Sequence, residues 1–297
     1  MASLQHDFAE IHTADRDLAE LTTWRIGGPV ADFFAPRDAG ECSRLLLALA
    51  AAGRSWRVLG GGANVLVDDR PSRLPVIHTG QLLRLDFEDE GRLVVGAGQS
   101  FPRLVSDCAR RGLGGLEVLA GIPGLMGGIC AMNAGGRWGE IRERVEWIEF
   151  VDAAGAIRRL DPEAIGFGYR STRLPSGIIT AVALRLDPGA NSRELVARQA
   201  EVLRAKSAAQ PLKVPSGGCV FANPEGRSAG LLVEEAGLKG RRIGDAQISE
   251  KHGNFIVNLG AARSSDVLRL MELIETTILA RHGLVLRREV KVWPASS

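Results

Sequence analysis

The chain lacks any strong imbalance of charge. Lysine and arginine number 37 against 35 aspartates and glutamates, a net charge of +2, so the composition holds no basic excess of the kind that nucleic acid or an anionic membrane surface requires. It also lacks a run of about 18 apolar residues, which leaves no membrane-spanning helix to assign. The opening Met1-Ala-Ser-Leu-Gln-His-Asp-Phe-Ala-Glu10 has no basic-then-apolar layout, and no secretory signal is read there. The four cysteines, Cys42, Cys108, Cys130 and Cys219, stand far apart and form no Cys-x-x-Cys pair. That spacing argues against a zinc site, a redox dithiol or a disulfide framework. Together these absences predict a cytoplasmic protein with free thiols that binds neither nucleic acid nor membrane and holds no metal; a monomer is the expected state, though none of these absences bears on it.

What is present is glycine. The 297 residues include 36 glycines in a chain that is 45% hydrophobic, a length and composition that suit two or three globular domains. Residues 31–35 read as a strand, 39–52 as an amphipathic helix closed by Gly53, and 56–59 as a second strand. That strand enters Gly60-Gly-Gly-Ala-Asn64 and leaves through Val65-Leu-Val-Asp68. A Rossmann or Walker loop must open a helix after its glycines, and Asn-Val-Leu-Val is poor helix material. A nest of backbone N–H groups able to hold a phosphate or pyrophosphate survives that objection.

A second glycine cluster runs from Gly112 to Gly136 with few charges in it. On its own it reads equally well as a tight buried turn or as a backbone cradle for a large ligand; beside the first cluster it favours a nucleotide-like cofactor. Residues 101–110 have helical spacing, with Cys108 on the same side as Leu104 and Val105, as a core thiol would be. Residues 145–151 and 157–160 predict a hairpin turning at Ala153-Ala-Gly155, and 178–186 a further strand. Helices are expected over 191–209, 228–236 and 264–282, and strands over 253–258 and 284–293. A domain boundary is placed at Pro188-Gly-Ala190.

Between Arg170 and Pro224 stand residues that fold poorly for their own sake: an exposed-looking Phe167-Gly-Tyr-Arg-Ser171 turn, then Gly218-Cys-Val-Phe-Ala-Asn-Pro224. An arginine, a cysteine framed by glycines and an asparagine before proline pack badly in a core, and they read as part of a site.

Arg25-Ile-Gly-Gly28, Gly60-Gly-Gly-Ala-Asn-Val-Leu-Val67, Gly121-Ile-Pro-Gly with Met132-Asn-Ala-Gly135, Gly168-Tyr-Arg-Ser171, Gly218-Cys-Val-Phe-Ala-Asn-Pro224, Ile248-Ser-Glu-Lys-His252 and Glu289-Val-Lys291 occur in this order. The set resembles the UDP-N-acetylenolpyruvoylglucosamine reductase family from about residue 22 to 292, and no single motif among them is as specific as their order. The resemblance implies an α+β fold: an FAD-binding portion of the vanillyl-alcohol-oxidase (PCMH) type in two subdomains, 1–75 and 76–188, followed by a C-terminal α/β substrate-binding domain, 189–297. With no inserted tyrosine loop after Arg170, the chain looks like the shorter of the family's two subtypes.

The same resemblance implies an enzyme of peptidoglycan precursor synthesis. NADPH, the co-substrate, reduces a non-covalent FAD, and hydride from the flavin then reaches UDP-N-acetylglucosamine enolpyruvate, giving UDP-N-acetylmuramate. Charge develops beside the substrate carboxylate and must be met by fixed donors. Carried over by position, Arg170 polarises that carboxylate, Glu289 stabilises the enol, and Cys219 occupies the place of the serine that donates a proton in most relatives. A thiol with an ordinary pKa of about 8.5 is mostly protonated at neutral pH and donates far more readily than a hydroxyl. Tyr169, Lys206 and Asn223 are implied substrate contacts. Gly60, Gly61, Gly62, Ala63 and Asn64 are implied at the flavin pyrophosphate, with Gly121, Ile122, Gly127, Asn133 and Gly135 along the ribityl chain and ring. His78 and His252 lie outside the glycine clusters and are not expected to bond covalently to flavin. Ala222 and Arg137-Trp138 depart from the family's usual basic residue and tyrosine. Two rivals stay open on the residues alone: an oxidase of the same fold, and a nucleotide-sugar-binding relative without turnover.

Overall fold

Cys42, Leu45, Leu46 and Leu49 recur at helical spacing, and all four are buried on one face of the helix Ala39–Ala51, which Asp38 caps by accepting from the Glu41 N–H. In the computed structural model, which describes residues 2–296, the chain divides into two compact units. One takes in residues up to 14, 32–61 and 74–204, and the other 15–31, 62–73 and those from 205 on. This division runs across the linear segments 1–75, 76–188 and 189–297.

The first unit contains two sheets. In one, Phe33 and Phe34 at the end of the strand Pro29–Phe34 pair in parallel with Val76–His78, which pairs in parallel with Arg57–Leu59; Ala39–Ala51 is the crossover helix that such parallel pairing needs. The second sheet is antiparallel, in the order Ile157–Leu160, Val145–Asp152, Gly177–Arg185, Arg92–Gly96, Leu85–Phe87. Its central strand, Gly177–Arg185, carries an almost unbroken apolar run because both faces are covered, with Ile178, Val182 and Leu184 in one cluster and Ala181 and Ala183 in another. The hairpin joining Val145–Asp152 to Ile157–Leu160 turns where Ala153-Ala-Gly155 was expected, with Gly155 at φ 79°.

The second unit is built from three stretches of sequence. Its antiparallel sheet runs Ser216–Cys219, Phe255–Asn258, Ala246–Ile248, Arg242–Ile243. Helices Ala229–Glu235 and Ser264–His282 lie with it. Trp24, Ile26 and Leu66 come from the early stretches and share one core cluster with Val220, Ile256 and Met271. Val65–Val67 pairs in parallel with Lys291–Trp293.

Two elements differ from expectation. The strand predicted over 284–293 is regular only at Lys291–Trp293. Before it, the backbone is tied residue by residue, from Ala222 N–H to Arg287 O and from Glu289 N–H to Val220 O. Within the second glycine cluster lies the short helix Met126–Ala131, which the sequence did not signal because Gly127-Gly128 is poor helix material. Packing overrides propensity there: a Cβ on Gly127 would stand 2.8 Å from Ala97 Cβ. Among the described residues no helix is long and apolar enough to cross a membrane.

Candidate active site

In the first unit the two glycine clusters meet. A Cβ on Gly61 would lie 2.7 Å from Gly124 Cα and 3.0 Å from Leu125 N, so the loop approaches its neighbour as backbone against backbone. A Cβ on Gly60 would sit 3.8 Å from both Gly128 N and Thr79 Oγ1, and one on Gly128 would meet nothing within 4 Å. Thr79 Oγ1 is buried and has no hydrogen-bond partner among the described residues. An uncommitted hydroxyl facing glycine backbone is a polar hollow of the sort phosphate oxygens fill. Sequence reasoning missed Thr79; its signal is faint, a threonine at a strand end before Gly80.

The other residues expected around this hollow have varied commitments. Gly121 turns at φ 78°, Ile122 packs on the core, and the Gly127 N–H bonds to Ala97 O. Gly135 pairs with Glu140 across a small hairpin. Asn133 is fully buried with its side chain wholly engaged: Nδ2 donates to Glu140 Oε2 and to Gly168 O, each at 2.9 Å, and Oδ1 accepts from Arg142 N–H at 3.3 Å. His78 packs its ring on Phe33, 5.5 Å between centroids.

Tyr169 and Arg170 form the tip of a two-residue turn framed by a bridge between Gly168 and Ser171. Arg170 has φ 52°, uncommon for a residue with a side chain. Its guanidinium donates to Gly135 O at 2.8 Å and Asn133 O at 3.4 Å and lies 5.3 Å from the Tyr169 ring, which is 47% exposed.

In the second unit, Cys219 closes the strand Ser216–Cys219, half-buried, with the register shifted between Ser216 and Cys219. The glycines before it have separate reasons to be glycine. A Cβ on Gly217 would come within 2.6 Å of Trp24 Cε3, and Gly218 sits at φ 77°. The next residue, Val220, accepts at its carbonyl from Glu289 N–H at 2.9 Å, so the thiol and the acid belong to directly bonded backbone segments. Asn64 fixes that segment from the other side: its Nδ2 donates to Glu289 O at 3.3 Å and its carbonyl accepts from Lys291 N–H at 3.0 Å. Gly62, at φ 59°, has its carbonyl bound by Thr23 N–H. Ala63, beside it, is half-buried. Asn223 Oδ1 accepts from Ala229 N–H at the start of Ala229–Glu235, and Lys206 lies near the end of the helix Ser192–Ala209. His252 accepts from Asn254 N–H and stacks edge-on with Phe255; burial lowers its pKa.

The remaining thiols differ from Cys219. Cys42, Cys108 and Cys130 are all at 0% exposure, and burial pushes each up to about 12, so they are inert at neutral pH. Among the described residues no group of three or more His, Cys, Asp or Glu side chains could hold a metal ion.

Two family models match the chain. One, described as an FAD binding domain, covers residues 30–161; the other, described as the C-terminal domain of UDP-N-acetylenolpyruvoylglucosamine reductase, covers 210–293. The UDP-N-acetylenolpyruvoylglucosamine reductase of Heliobacterium modesticaldum is 41% identical over 98% of this chain and 94% of its own. That of Thermus thermophilus is 44% identical over 93% of this chain and 97% of its own. The crystal structure of the enzyme from Thermus caldophilus superposes with a TM-score of 0.83 at 42% identity, covering 95% of this chain and all of that one. With relatives this similar spanning nearly its whole length, the chain belongs to the UDP-N-acetylenolpyruvoylglucosamine reductase family.

Proposed function

We propose that the protein is an NADPH-dependent flavoenzyme that reduces UDP-N-acetylglucosamine enolpyruvate to UDP-N-acetylmuramate, a monomer working in the cytoplasm without nucleic-acid or membrane partners. The observation that carries this reading is the 2.9 Å bond from Glu289 N–H to Val220 O, which sets a carboxyl and the Cys219 thiol on adjoining backbone. Functionally we divide the chain as its sequence does, with 1–75 and 76–188 serving the flavin and 189–297 the substrate.

The residues present suit FAD. The hollow between Gly60 and Gly128, with the unpartnered Thr79 hydroxyl facing it, supplies backbone and side-chain polar groups without side-chain bulk. Gly60, Gly61, Gly62 and Ala63 hold the pyrophosphate, and Gly121, Ile122, Gly127 and Gly135 shape the walls. Asn133 and Asn64 act through what they brace, since the amide of each is bonded to the protein. FAD held there would supply the hydride transfer that links NADPH to the enol ether. Thr79→Val, nearly isosteric, removes a hydroxyl of this hollow that must find a partner. It is expected to weaken FAD binding to the apoprotein about tenfold, roughly one charge-assisted hydrogen bond, while Thr79→Ser binds normally; flavin-fluorescence titration reads both.

On the substrate side, Arg170 meets the carboxylate in a bidentate fashion that a lysine could not reproduce. Glu289, carrying or sharing a proton, donates to the enol oxygen as charge accumulates there. The Cys219 S–H delivers its proton to the central carbon, and the thiolate left behind regains one from solvent. Tyr169, Lys206 and Asn223 bind the nucleotide-sugar portion.

Purified protein is expected to be yellow, to bleach anaerobically with NADPH and to recolour when the enolpyruvyl substrate is added. Bleaching that only oxygen reverses would replace this reading with an oxidase, and a protein that never binds flavin would reduce it to a binding module.

A further inference from the structure

Arg170 does not stand on its turn alone. Its two forks rest on the carbonyls of Asn133 and Gly135, at 3.4 and 2.8 Å, and Glu140 holds both of those residues. Through its backbone Glu140 pairs with Gly135 in the hairpin Gly135–Gly136/Gly139–Glu140. Through Oε2 it accepts from Asn133 Nδ2 at 2.9 Å, and the same Nδ2 donates to Gly168 O, at the base of the Arg170 turn. Oε1 lies 3.8 Å from Arg170 Nη1 itself. Asn133, at φ 40°, and Arg170, at φ 52°, are both left-handed residues with side chains. Such backbone persists only where its surroundings over-determine it.

We infer that Glu140 is the positioning residue that aims Arg170 at the substrate carboxylate. A plain structural role is also visible, because the Glu140 N–H donates to Glu143 Oε1 at 2.9 Å where the short helical turn Ile141–Glu143 begins. That bond uses the backbone of Glu140 and leaves its carboxylate for other groups. Three cationic or amide groups face the carboxylate: Asn133 Nδ2 at 2.9 Å and Arg142 Nε at 3.0 Å on Oε2, and Arg170 Nη1 at 3.8 Å from Oε1. Only a carboxylate presents acceptor sites on both oxygens; an amide would turn its NH₂ either on Arg170 or on Asn133 and Arg142. Glu140→Gln therefore keeps the backbone bond and the size while it releases either Arg170 or the Asn133 brace.

The inference rests on the reading of Arg170 as the carboxylate ligand, and the test separates the two. In the holoenzyme, Glu140→Gln is expected to leave flavin reduction by NADPH within twofold of wild type. It should slow anaerobic reoxidation by the enolpyruvyl substrate at least tenfold, the scale of a misplaced positioning group. In an Arg170→Lys background, which itself slows reoxidation, Glu140→Gln should add less than threefold. Wild-type reoxidation in Glu140→Gln, or effects that multiply fully in the double variant, would overturn the positioning role and leave the Arg170 reading standing. Normal reoxidation in Arg170→Lys alone would remove the Arg170 reading and this inference with it. Should Glu140→Gln not retain flavin, Glu140→Asp, with the charge drawn back by one methylene, is judged by the same thresholds.

Discussion

Replacing Cys219 with alanine is expected to slow the substrate half-reaction by about 10²- to 10⁴-fold, the range typical of losing a positioned general acid, while NADPH continues to reduce the flavin at nearly the normal rate. The separation follows from where the thiol sits. It ends the strand Ser216–Cys219, brought out by the register shift and by Gly218 at φ 77°, with its neighbour Val220 bonded to Glu289. Truncating a half-buried side chain there removes the proposed proton donor without opening a core cavity, so kinetics should change far more than stability. Rapid-mixing absorbance of the flavin resolves the two half-reactions, and equal rates in both would withdraw Cys219 from the mechanism. Cys219→Ser should keep substantial activity. Because the other three thiols are buried and pushed up to about 12, alkylation of the native protein should fall on Cys219, inactivating the parent enzyme and sparing the serine variant.

The largest loss of stability is expected at Trp24. Its ring is completely buried, its Nε1 donates to Ile256 O at 2.7 Å, and its own carbonyl accepts from Asn258 Nδ2 at 2.9 Å. The indole occupies the space that glycine at 217 leaves open, where a Cβ would stand within 2.6 Å of it. Trp24→Ala should cost about 3–5 kcal/mol through lost burial and the cavity left behind. In urea this lowers the midpoint by roughly 1–2 M. Trp24→Phe keeps most of the volume but strands the Ile256 carbonyl, a loss of about 1–3 kcal/mol. A midpoint unchanged in Trp24→Ala would mean that the early segment does not support this core.

Much of this architecture was legible because the local signals agree with the packing. The helix Phe101–Arg110 coincides with its predicted span, Cys108 included among its buried residues. Ser264–His282 ends at Gly283, which takes the left-handed conformation that its position foretold. What stayed hidden depends on contacts distant in sequence. Nothing in Thr22-Thr-Trp-Arg-Ile announces that Trp24 belongs to the same core as Ile256, and an Asn64 read as part of a phosphate nest has its amide on Glu289 O. Of the candidate site, Arg170, Cys219 and Glu289 were reachable by matching motifs in order. Thr79 and Glu140 carry no motif, and only the empty hydrogen-bonding capacity of one and the crowding of donors on the other single them out. The hairpin around Arg137-Trp138 went unread, as did what its second strand braces.

The parallel pairing of Val65–Val67 with Lys291–Trp293 sets an order on biosynthesis. The partner for this short, wholly apolar strand is translated long after it, a delay of about 10–45 seconds at about 5–20 residues per second on the ribosome. Through that interval an unpaired apolar edge is available to other nascent chains. Yield in cells should therefore hinge on chaperone capacity during elongation more than on the resistance of the finished protein to heat.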